Sequence, residues 1–127
     1  MEYLDVGKKF LDLATTLMGL SETYSKDDRE CRDRLAVHLD NLVVCLEKSA
    51  TDPHIATCAE LDGYLESLKN QLVSVLPAKR IEKFDALLSS AVEERSMTMA
   101  MGDETVRKDI LVAAGRFKAL ASEIRVA

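Results

Sequence analysis

Apolar residues recur at intervals of three and four along most of the chain, which is the spacing of one face of an α-helix. Tyr3, Val6, Phe10, Leu13, Leu17, Leu20 and Tyr24 follow it, widened by Leu4, Leu11 and Met18, and predict a first helix over about residues 2–24. The polar run Ser25 to Asp28 breaks this stripe and supplies N-capping side chains. Beyond it, Cys31, Leu35, His38, Leu42 and Cys45 resume the spacing, flanked by Leu39, Val43 and Leu46. Asp52 and Pro53 mark the next start, since Asp accepts hydrogen bonds from orphan backbone donors and Pro is tolerated in the first turn. A third seam follows at Cys58, Leu61, Leu65, Leu68, Leu72 and Val75. Pro77 disfavours helical geometry at Leu76 and can open a fourth helix, with Ile81, Phe84, Leu88 and Ala91 on its stripe. Gly102 and Asp103 offer a stop and a fresh cap before a last seam at Val106, Ile110, Ala113, Phe117, Leu120 and Ile124. Residues 78–125 are otherwise readable as one long helix bent near Gly102.

Every predicted helix has one apolar seam and one charged side, so none is stable alone. The short breaks at Pro77 and Gly102 favour antiparallel neighbours. The expected fold is therefore all-α, an up-and-down bundle of four or five helices built from residues 1–127 as a single domain.

Composition agrees with a globular chain, at 47% hydrophobic and 31% charged residues. The first fifteen residues already interleave charge with apolar groups, unlike a signal peptide or a membrane anchor, so the expected address is cytoplasmic and no membrane contact is expected. Seventeen basic against twenty-two acidic side chains give a formal charge of −5, which argues against binding nucleic acid over a broad surface. A local basic patch remains available at Lys79, Arg80 and Lys83, with Arg107, Lys108, Arg116 and Lys118 as further contributors.

The segment RDRLAVHLDN, residues 32–41, carries one of the two histidines. It resembles the short motif of HEPN ribonucleases, small all-helical domains, commonly dimeric, in which an arginine, usually followed by Asn, Asp or His, precedes a catalytic histidine by a few residues. Arg32, Asp33 and His38 fill those places here. The resemblance implies metal-independent RNA cleavage through the ribose 2′-hydroxyl at a cleft between protomers, His38 moving protons and Arg32 stabilising phosphate charge in the transition state. On one continuous helix, however, residues six apart point about 120° away from each other, so the two share a site only across two chains or at a helix irregularity. His38 also falls on the apolar seam with Leu35 and Leu42, where a neutral, hydrogen-bonded core or interface histidine is expected.

Other chemistry finds little footing. Di-iron bundles need Glu-x-x-His, but Leu35 and Thr51 stand three before His38 and His54. A histidine phosphotransfer domain is similar in size, yet Leu39 to Leu42 occupy the places of its usual Lys and Gly. Cys31, Cys45 and Cys58 each lie on an apolar stripe, as buried structural thiols do. The acid pairs Glu93 with Glu94 and Asp27 with Asp28 fit solvated faces and helix starts, and no Gly-rich phosphate loop is present. No cofactor or metal is expected.

Met97, Met99 and Met101 alternate around a helix end, so one narrow seam cannot hide all three. Flexible thioethers suit adaptable protein contacts. The expected function is thus a non-catalytic protein-interaction module, a helical-bundle subunit of a homo-oligomer or of a larger, including nucleoprotein, assembly. The alternative is the HEPN-like ribonuclease.

Overall fold

The computed structural model describes residues 6–17, 29–52, 55–73, 78–89 and 102–126. They form an all-helical bundle, with no strand among them: α1 (Val6–Thr16), α2 (Arg29–Thr51), α3 (Ile55–Leu72), α4 (Ala78–Ser89) and α5 (Glu104–Val126). Among the described residues of 78–125, Ala78–Ser89 and Glu104–Val126 are distinct helices. Asp103 starts the second, its Oδ1 accepting from the Val106 amide at 3.1 Å, the capping contact of a fresh N-terminus.

The predicted seams are the core. Phe10, Leu13 and Leu17 of the first stripe are fully buried, as are Leu61, Leu65, Leu68 and Leu72 of the third to within 1%. Val106, Ile110, Ala113, Phe117, Leu120 and Ile124 of the last seam are all buried, because an unbroken 3.6-residue period keeps them on one side of α5. Phe84 is the aromatic anchor of α4, with Ile81 partly buried beside it.

In α2 the buried arc is wider than the predicted seam: Leu35, Leu42 and Cys45 of the seam are buried, and so are Ala36, Leu39, Val43, Leu46 and Ser49. Two seam residues depart from it, Cys31, which is exposed, and His38, which is half-buried. Cys31 is therefore a correction to the expectation of a buried thiol. Cys31 points the same way as the buried Leu42 and Ser49, eleven and eighteen residues further on, so its exposure comes from its place in the first turn of α2, where Arg29 and Glu30 are exposed as well.

Going round the bundle, the principal neighbours run α1, α5, α2, α3, α4 and back to α1. Short connections make α2/α3 and α3/α4 successive antiparallel pairs. At the α1/α5 contact the backbones come close: a Cβ on the buried Gly7 would stand 2.6 Å from Asp109 Cβ. Only glycine fits there without displacement.

Candidate functional site

The helix bearing the Arg32, Asp33 and His38 motif is unbroken from Arg29 to Thr51. Its regularity sends the three side chains in different directions. Arg32 turns inward and is 7% exposed. Asp33 is exposed to solvent. His38 points to α3, where its Nε2 lies 2.9 Å from the backbone carbonyl oxygen of Tyr64. The imidazole also meets the Tyr64 ring edge-on, with centroids 5.7 Å apart and planes at 67°.

A carbonyl oxygen can only accept, so His38 Nε2 must carry the proton and donate it. That nitrogen holds α2 to α3. A general base working through Nε2 would have to give up this bond first, and Arg32, about 120° around the helix, does not converge on the same pocket within one chain.

Two ion pairs reinforce neighbouring helices. Lys69 of α3 places Nζ 2.6 Å from Asp85 Oδ1 of α4. That hydrogen bond, aided by the charges of Asp85 and Glu66, holds the Lys69 ammonium above its usual pKa against a smaller desolvation effect. Arg125 near the end of α5 pairs with Asp40 of α2, and this hydrogen bond raises the guanidinium's pKa further.

Lys79 and Lys83 are exposed on α4, while the side chain of Arg80 lies outside the described residues. Arg107, Lys108, Arg116 and Lys118 are exposed on α5. Because α1 packs between α4 and α5, these basic side chains form two groups. Met97, Met99 and Met101, His54 and the side chain of Cys58 fall outside the described residues. Cys45 is buried. Among the described residues no set of three His, Cys, Asp or Glu is placed to hold a metal ion, and no helix is long and apolar enough to cross a membrane.

A feature the hydrophobic spacing did not single out is apolar exposure on the outer faces of the two longest helices. Val37 and Val44 of α2 are 53% and 63% exposed, and Leu111 and Val112 of α5 are 46% and 43% exposed. Their signal in the sequence is an apolar residue on the charged side of an otherwise amphipathic helix. Tyr64, by contrast, had no local signal as the partner of a histidine 26 positions away. Comparison with known proteins finds no matching family model, no similar curated protein and no similar solved structure.

Proposed function

We propose that this chain is a non-catalytic protein-interaction module, a helical-bundle subunit that joins a second copy of itself or the other subunits of a larger assembly. The observation that carries this reading is the apolar exposure on the outer faces of α2 and α5, the same two helices that contribute most to the core. β-Branched side chains lower helix propensity slightly, and exposed valines gain nothing in return unless another surface covers them. The employment of His38 Nε2 in the α2/α3 contact supports a structural role for that residue. Nucleic acid enters this reading only through the local groups on α4 and α5, in keeping with the chain's net negative charge.

The test is incubation of the purified protein with single-stranded RNA beside the folded His38→Ala variant. The reading expects no cleavage above buffer from either sample. Cleavage by the wild type that disappears in a folded His38→Ala variant would replace this reading with the ribonuclease.

A further inference from the structure

The solvent side of α2 is organised in three columns. Val37 and Val44 stand seven residues apart, and positions seven apart return to the same side of a helix within about 20°. On the side toward α5 runs an acidic column, Asp33, Asp40 and Glu47. On the side toward α3, the side His38 takes, runs Arg34, Asn41 and Lys48. Apart from the partly exposed Asp40, which is paired with Arg125, all of these side chains are exposed.

We infer that this face is the contact between two copies of the chain, with the two α2 helices side by side and parallel about a two-fold axis. This inference rests on the protein-interaction reading above and names its partner. The charges choose the occupant and the direction. A two-fold axis along the helix carries each acidic column across to the other copy's basic column, at nearly equal height: Asp33 faces the second copy's Arg34, and Glu47 its Lys48. An antiparallel two-fold would instead set the acidic column against itself. In the parallel pairing Val37 and Val44 each meet their own counterpart on the axis, covering the two most exposed large hydrophobic side chains of α2. Midway along the seam Asn41 faces the second copy's Asp40, an amide donor opposite the carboxylate that Arg125 already holds. Glu30, seven residues before Val37, continues the central column and meets its own counterpart at the N-terminal end, where Arg34 of the same chain, 3.5 Å away, offsets its charge.

The experiment is a charge exchange read by sedimentation equilibrium at low salt over a concentration series. The wild type is expected to dimerise. Asp33→Lys with Glu47→Lys leaves both columns basic, and Arg34→Glu with Lys48→Glu leaves both acidic; each double variant alone is expected to associate roughly tenfold more weakly. Mixed one to one, the two should form a heterodimer again. In a Cys31→Ser background, Val44→Cys is expected to cross-link to itself on mild oxidation, as only the parallel register allows. A wild-type dimer indifferent to both reversals, or cross-linking only between Val37→Cys and Val44→Cys chains, overturns this interface and leaves self-association standing on another surface. A wild type that stays monomeric throughout overturns both the interface and self-association.

Discussion

His38 and Tyr64 join the second and third helices through two contacts at once, a hydrogen bond of 2.9 Å from Nε2 to the Tyr64 carbonyl and an edge-on meeting of the rings at 5.7 Å. A half-buried histidine so held is a structural part of the bundle. Replacing it by Ala removes one hydrogen bond and one aromatic contact, and is expected to lower unfolding stability by about 1–2 kcal/mol. Urea unfolding of His38→Ala measures this, and His38→Phe separates the terms by retaining the ring contact without the donor. A His38→Ala variant as stable as the wild type would remove the residue from the framework.

The two glycines Gly7 and Gly115 should respond in opposite directions to the same substitution. Gly7→Ala drives a methyl group to within 2.6 Å of Asp109 Cβ, and forcing α1 away from α5 is expected to cost about 1–3 kcal/mol. Gly115 is exposed in the middle of α5, and a Cβ there meets nothing within 4 Å. Gly115→Ala is expected to gain about 0.5–1 kcal/mol through helix propensity. Thermal or urea unfolding of the two variants checks both signs, and a stabilised Gly7→Ala variant would contradict the close α1/α5 approach.

The Lys69–Asp85 ion pair predicts a small alkaline component of stability. The Asp85 hydrogen bond raises the folded-state pKa of Lys69 above its ordinary 10.5. A group raised on folding contributes stability that is fully present below its unfolded pKa and is lost as pH climbs through the folded value. Lys69→Met should therefore narrow its stability deficit relative to the wild type as pH rises past 10.5, while the gap stays constant at neutral pH. Denaturant midpoints across that range measure the difference, and because the pair is partly solvated the change should shrink in high salt.

Truncation in the centre of α5 should be far more damaging than any of these. Phe117 is fully buried in the longest uninterrupted seam, and Phe117→Ala is expected to cost about 3–5 kcal/mol by opening a cavity. Loss of cooperative unfolding or a large fall in melting temperature would register it, whereas a loss under 1 kcal/mol would contradict the burial of that ring.

Much of this architecture was legible in the residue spacing, and for a definite reason. A helix that buries one face against the core writes a 3.6-residue period into its sequence, and the last seam, from Val106 to Ile124, shows it without exception. Asp103 was legible as a cap because capping is a local matter of one side chain and the next turn. Cys31 departs from its stripe because periodicity gives a side chain's direction but not how far along the helix its neighbours reach, and Cys31 stands in the first turn of α2. Partners separated along the chain were not legible at all: nothing near His38 announces Tyr64, nor anything near Gly7 the closeness of Asp109. The motif Arg32, Asp33, His38 was visible as a string of residue types, but string order carries no direction, and the unbroken α2 sends those side chains apart. The exposed pair Val37 and Val44 could have been found by asking which apolar residues fall off the seam.

The most direct test of self-association through α2 is the native mass of the wild-type protein by light scattering as concentration is raised at low salt. A dimer through α2 gives a rise toward twice the chain mass of 14.1 kDa, reversed on dilution. A mass that remains that of one chain at every concentration would contradict it.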